Sequence, residues 1–230
     1  TVGSYTFIAQ AQGAVVQCFA LGAGTGEYAE YDNVSLRLAE EDRSVNGNGL
    51  QVFGTVAKNP VATGADLVKY GIFSGSNYLY QPHNADMIFG TGDFNITFWY
   101  NRINQSTHTV LDHHNYTGNN DNRIQIQFLS SGDALRLVVG SVFDISGFVT
   151  YNTWNLLSIV RSSGTLMVYH NGVLLNSTSN TANIGTSASD IHVGINNVKN
   201  QAFNGYLALL RISATAPTAE QIAKIYNDEK

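Results

Sequence analysis

The chain holds a single cysteine, Cys18, among 230 residues. No disulfide can form within it, and no zinc site can be built from cysteine pairs. Charge is scarce: 13% of residues are charged, about half the ~25% of an ordinary soluble domain. The 12 Lys and Arg are scattered singly under a net charge of -5. Without a basic stripe to follow a phosphate backbone, nucleic acid is excluded as the partner. No apolar run reaches the roughly 18 residues of a membrane helix, and residues 1–20 lack the basic-then-apolar order of a signal peptide. The chain does not begin with Met and its first residues already read as a strand, so Thr1 is expected to be an internal position of a longer polypeptide.

Helical periodicity is also missing until Pro217. What recurs instead is short runs rich in Val, Ile, Phe and Tyr between turn residues, the pattern of an all-β sandwich or barrel. Alternating runs at Ser4 to Ala11, Ala14 to Leu21 and Tyr28 to Leu38 predict strands in residues 1–42, expected to be the remnant of a preceding β domain or strands that pack onto the next one. The acidic Glu40-Glu-Asp-Arg43 followed by Asn46-Gly-Asn-Gly49 marks the boundary, leaving 43–230 as the main domain.

Within that domain the expected strands are Leu50 to Val56, Asn77 to Tyr80, Phe94 to Asn101, Thr107 to Asp112, Arg123 to Leu129 and Ala134 to Val139. They continue with Trp154 to Arg161, Thr165 to His170, Val173 to Ser177, Ile191 to Gly194 and Tyr206 to Ser213. Asn171-Gly172 lies between two of these runs, and both residues tolerate the positive φ of a type I′ hairpin turn. Thr218 and Gln221 have capping-box spacing, predicting a helix over 218–227. So short a helix is not stable alone in water, so it must dock, burying Ile222 and Tyr226.

Gly75-Ser-Asn-Tyr-Leu79, Phe94-Asn-Ile-Thr-Phe-Trp99, Trp154 with Gly164, Tyr169-His-Asn-Gly172, Phe203-Asn-Gly205, Arg211-Ile212 and Thr218-Ala-Glu-Gln-Ile222 occur in the order and spacing of a concanavalin A-like, laminin-G-like jelly roll. The chain resembles that family from about Leu50 onward. The resemblance implies an all-β jelly-roll sandwich closed by a short C-terminal helix. Asp32-Asn-Val-Ser-Leu-Arg37, Asp42-Arg-Ser-Val-Asn-Gly-Asn-Gly-Leu50, Pro60-Val-Ala-Thr-Gly-Ala-Asp66, Phe89-Gly-Thr-Gly-Asp-Phe94 and the C-terminal helix are similar to segments of bacteriophage tail and fibre proteins that carry this jelly roll. That narrower resemblance implies that residues 1–42 are the end of an upstream carbohydrate-module-like sandwich. It also implies a virion component in an extracellular setting, assembled as a homotrimer with other tail subunits and contacting a bacterial surface glycan or receptor.

Jelly rolls also host glycoside hydrolases, which usually need two carboxylates about 5–9.5 Å apart. Between Asp42 and Ala219 the only acidic residues are aspartates, mostly beside Gly, Asn or Ser, as turn residues are. A non-enzymatic reading is therefore preferred. The loop from Thr109 to Arg123 gathers Asp112, His113, His114, Asn115 and Asp121. Laminin-G-like domains often hold Ca²⁺ at a rim, which makes Asp112 and Asp121 the candidate calcium ligands. Adjacent His113 and His114 point to opposite sides of an extended strand, which counts against a shared zinc site. Aromatics near turns are the candidate glycan contacts: Tyr78, Tyr80, His83, Tyr116 and Tyr151. Trp99 joins them, because Phe94, Ile96, Phe98 and Tyr100 occupy the other face of its strand. The readings in order are a phage tail or fibre adhesion module, an extracellular bacterial lectin-like module and a polysaccharide-cleaving enzyme.

Overall fold

A computed structural model describes residues 51–53, 57–60, 68–71, 73–114, 122–185 and 189–230, with side chains from Tyr70 onward. The expected upstream segment 1–42, Tyr116 and Asp121 lie outside the described residues.

In chain order the strands are β1 (Gln51–Phe53), β2 (Ala57–Pro60), β3 (Val68–Gly71), β4 (Tyr78–Gln81) and β5 (Phe94–Arg102). Next come β6 (His108–His114), β7 (Ile124–Phe128), β8 (Leu135–Val139), β9 (Ser141–Ile145) and β10 (Asn155–Ser162). The last are β11 (Thr165–His170), β12 (Val173–Ser179), β13 (Asp190–Val193) and β14 (Gly205–Ser213), followed by the helix α1 (Ala219–Glu229). They form two seven-stranded antiparallel sheets, ordered β1-β4-β13-β6-β7-β8-β9 and β12-β11-β10-β5-β14-β3-β2. This is the jelly-roll sandwich expected from the sequence. Three strands escaped it. β2 and β3 carry Lys58, Asn59, Pro60 and Lys69, a weak β pattern, and β9 is an edge strand with Val142 and Asp144 exposed.

The core follows from alternation. Phe94, Ile96, Phe98 and Tyr100 of β5, Leu157 and Ile159 of β10, and Ile124, Ile126 and Phe128 of β7 enter one buried cluster with Leu111, Leu135 and Leu137. Each such side chain contributes about 1.5–3 kcal/mol when fully buried. Tyr100 stacks obliquely on Phe128, with ring centroids 4.8 Å apart, joining the two sheets.

Two arginines stand at the ends of this core. Arg161, fully buried, donates to the carbonyls of Gly92 (2.8 Å), Gly90 (2.6 Å) and Ala182 (2.6 Å) and to Oδ1 of Asn180 (3.2 Å). It replaces the water of its guanidinium with main-chain oxygens and so ties two loops to β10. Arg102, at the end of β5, donates to the carbonyls of Ser106 (2.7 Å) and Leu129 (2.8 Å) and lies against the rings of Phe128 and Tyr151.

The Asn171-Gly172 turn is as the sequence predicts, with φ of 51° and 82°. Oδ1 of Asn171 also accepts from the backbone N–H of Leu156, anchoring the hairpin to β10. The helix begins at the expected capping box, in which Thr218 and Gln221 bond reciprocally. It lies on the outer face of the second sheet, where Ile222 is fully buried beside Val160 and Tyr169, and Tyr226 packs against Trp99, Leu156 and Ala208. Trp99 is therefore 7% exposed. Its strand face was read correctly, but the expectation that it contacts a ligand is corrected: the face is outer and α1 covers it. Leu209, at φ 50°, is the extra residue of a bulge in β14. The bulge puts Arg211 on the same outer face as Ala208, where it pairs with Glu229 at the end of α1. Among the described residues no helix is long and apolar enough to cross a membrane.

Candidate functional site

The outer face of the first sheet is built differently. Pairing aligns Tyr80 of β4, His192 of β13, Asp112 of β6 and Gln125 of β7 in one row across four neighbouring strands. Asp190 stands opposite His114 in the next row. These are the residues that alternate with the core positions Leu79, Ile191, Val193, Leu111 and Ile124. A sheet face of this composition presents polar groups and rings, not apolar area.

The connection from β13 to β14 folds over this face. Asn197 donates its backbone N–H to Oδ2 of Asp112 (3.0 Å) and its side-chain amide to Nδ1 of His114 (2.7 Å). An amide nitrogen only donates, so Nδ1 of His114 accepts and its proton sits on Nε2. Buried Asn196 is the hub of the loop: its Oδ1 accepts from the backbone N–H of Asn200 (2.9 Å) and of Gln201 (3.2 Å). The segment is thereby fixed, with Val198 at 53% exposure on its tip. Lys199 holds the left-handed φ of 60° and places Nζ 5.0 Å from the centroid of the Tyr78 ring.

Beside the loop lies the half-buried Tyr80 ring, 5.0 Å from the ring of His192. Its hydroxyl donates to Oδ2 of Asp190 at 3.1 Å. Nδ1 of His192 is 3.5 Å from Oδ1 of Asp190, outside hydrogen-bond alignment. Burial pushes the Asp190 carboxyl up, but His192 and the Tyr80 hydroxyl outweigh it and hold it below the usual range. Burial first, then the Asp190 charge, raises the Tyr80 phenol. At neutral pH the site thus presents an ionised carboxylate, 28% exposed, beside a protonated phenol. Exposed His83 stands just past β4, where Nδ1 bonds the carbonyl of Ser189 at 3.1 Å, so this nitrogen carries the proton. In the neutral imidazole, Nε2 is left as an acceptor.

The candidates named from the sequence therefore divide. Tyr78 and Tyr80 share this face, with the Tyr78 ring buried under Lys199 and the Tyr80 ring reaching the surface, while His83 follows just past β4 on the carbonyl of Ser189. Trp99 is on the opposite sheet under α1. Tyr151 lies before β10 at another part of the sandwich, its ring on Arg102 and its hydroxyl bonded to Asp133. Asp112 does not fit a calcium site. It is fully buried, takes a bidentate pair from Arg123 at 2.9 and 2.8 Å, and accepts from Asn197, so its oxygens already have their donors. Among the described residues no three His, Cys, Asp or Glu converge in a way that could hold a metal ion. His113 points into the core and His114 outward, as their adjacency required. The residues that sequence reasoning missed are Asp190, His192, Asn197 and Lys199. The i, i+2 spacing of Asp190 and His192 would have put both on one strand face.

Among solved structures, domain 4 of AbnA, a GH43 extracellular arabinanase from Geobacillus stearothermophilus in complex with arabinotriose, is similar at 18% identity and a TM-score of 0.61, over 80% of this chain and 91% of that one. The binding domain of botulinum neurotoxin DC in complex with SialylT is similar at 19% identity and a TM-score of 0.58, over 81% of this chain and 48% of that one. A botulinum neurotoxin type C structure, described with cell entry dependent on two ganglioside molecules, is similar at 17% identity and a TM-score of 0.59, over 80% of this chain and 47% of that one. The chain thus spans about half the length of these neurotoxin chains. At such identities the likeness establishes the fold. No curated protein sequence matches. Residues 73–223, well over half of the sequence, match the family described as Laminin_G_3, and the chain belongs to the concanavalin A-like lectin/glucanases superfamily.

Proposed function

We propose that this chain is a non-enzymatic carbohydrate-binding module, with its ligand on the outer face of the first sheet around Tyr80, His83, Asp190 and the loop 196–201. The observation that carries the reading is the Tyr80–Asp190 pair on this face. It sets an aromatic ring next to a partly exposed carboxylate, and sugar hydroxyls and C–H faces need that combination. Arabinotriose, SialylT and gangliosides named with the neighbouring structures support a glycan as the ligand class. Among the described residues of this face, the other acids are Asp112, paired with Arg123, and Asp144, paired with Arg136, which supports binding without cleavage.

The setting we infer is a bacteriophage tail or fibre that carries the module as a homotrimer, in contact with other tail subunits and a bacterial surface glycan. The segments Asp32-Asn-Val-Ser-Leu-Arg37 and Phe89-Gly-Thr-Gly-Asp-Phe94 support it by their similarity to such proteins. A glycan array extended with bacterial surface polysaccharides, read for both binding and released reducing ends, tests the function. Binding without release is expected. Release of sugar would make the chain an enzyme, and silence across the array would leave the glycan reading without a ligand. Light scattering tests assembly separately, with a trimer expected and a strict monomer contradicting it.

A further inference from the structure

We propose that the ligand of this site is an acidic glycan, and that Lys199 reads its anionic group. The inference rests on the carbohydrate-binding reading above and adds the charge class of the sugar. Lys199 is exposed in a rigid loop, at a φ that lysine rarely adopts. A residue held in the left-handed region costs on the order of 1 kcal/mol or more, and such positions cluster where a side chain must be aimed. Here the cost is sustained by Asn196, whose side chain accepts from the two amides that follow Lys199, and by the bond from the Lys199 N–H to the Asn196 carbonyl at 2.9 Å.

The conformation puts the ammonium over the Tyr78 ring, and no carboxylate of the described residues lies within ion-pair distance of it. Cation and ring together fix the charge in place but do not neutralise it. The other cations on this face among the described residues, Arg123 and Arg136, are already paired with Asp112 and Asp144. From Lys199 the surface runs over Tyr78, whose ring is 5.5 Å from His192, to Tyr80 and Asp190. One end is therefore positive and the other is an ionised carboxylate held by the Tyr80 hydroxyl. A sugar carrying a carboxylate or sulfate has one favourable orientation here: its anion at Lys199, its hydroxyls donating to Asp190. A neutral sugar leaves Lys199 unused, and the reverse orientation sets like charges together.

The test is an array of matched pairs, each an acidic glycan (uronate, sialylated or sulfated) and its neutral parent, probed with the full chain, Lys199→Gln and Lys199→Arg. Acidic members are expected to bind roughly three- to tenfold more tightly than their parents, the range of one solvent-accessible charge contact. The preference should vanish in Lys199→Gln, persist in Lys199→Arg and shrink as salt is raised. Equal binding of acidic and neutral members, or a preference that survives Lys199→Gln, would overturn this inference while leaving the glycan site intact. No binding to any member would overturn both.

Discussion

The indole Nε1–H of Trp99 donates to Oε2 of Glu229 at 2.8 Å, while its ring stacks on Tyr226 at 5.8 Å between centroids. One tryptophan on the outer face of the second sheet thus holds both the last turn and the apolar stripe of α1, and Arg211 grips the same glutamate. A helix of 11 residues depends on such docking. Tyr226→Ala is expected to destabilise the chain by about 2–4 kcal/mol, since it removes a large, partly buried aromatic, and Glu229→Ala by about 1–2 kcal/mol. Chemical denaturation measures both. An unchanged midpoint for Tyr226→Ala would mean that α1 is an ornament of the fold.

Arg161 gives a second prediction. Its guanidinium spans three carbonyls and one amide oxygen in fixed directions, which an ammonium cannot reproduce. Arg161→Lys should cost about 2–4 kcal/mol despite keeping the charge, because buried carbonyls lose donors. Near-equal stability of the two proteins would show that water replaces the fork.

The pH dependence follows from His113 and His108. Burial, which outweighs the nearby Asp112 and Asp190, pushes His113 down to about 4, and both of its ring nitrogens are buried without a partner. Burial and then Arg102 push His108 down to about 4 as well. Both start from an ordinary value of 6.5. Between pH 6.5 and 4 the unfolded chain therefore binds protons that the native state refuses. Native stability is full above 6.5, falls through this window and levels off below about 4. His113 alone corresponds to on the order of 3 kcal/mol. Urea titrations at pH 7 and pH 4.5 should show the loss, and His113→Leu should flatten it. A slope that His113→Leu leaves unchanged contradicts the assignment.

Asn196 connects stability to the site. Asn196→Ala removes the acceptor for two loop amides and is expected to cost about 1–3 kcal/mol. Glycan affinity should fall with it, although Asn196 is buried beneath the surface that would meet the sugar. Hydrogen exchange at Asn200 and Gln201 reports the loosening, and unchanged exchange would remove Asn196 as the hub.

How much of this was legible in the sequence depended on range. The Asn171-Gly172 turn and the Thr218–Gln221 capping box are local spacings, and both formed as read. Phe94 to Tyr100 showed its alternation plainly, so the core face of β5 was legible. What covers the outer face of that strand was not, because it depends on where a helix more than 100 residues later docks, and Trp99 was misjudged for that reason. The site split the same way. Tyr78, Tyr80 and His83 are near neighbours in sequence, whereas Asp190 meets Tyr80 across 110 residues through the register of β13 on β4. Asp112 looked like a metal ligand in a polar loop, and Arg123 across the β6–β7 pair makes it a buried ion pair instead.

The most direct test of the account is a calorimetric titration of the tightest glycan from the array against the wild type, Asp190→Asn and Tyr80→Ala, with Tyr151→Phe as a distant control. Asp190→Asn and Tyr80→Ala should each weaken binding by roughly tenfold or more, the cost of losing a charge-assisted hydrogen bond or a stacking face, while Tyr151→Phe binds as the wild type does. Wild-type affinity in Asp190→Asn and Tyr80→Ala would contradict the assignment of the ligand to this face.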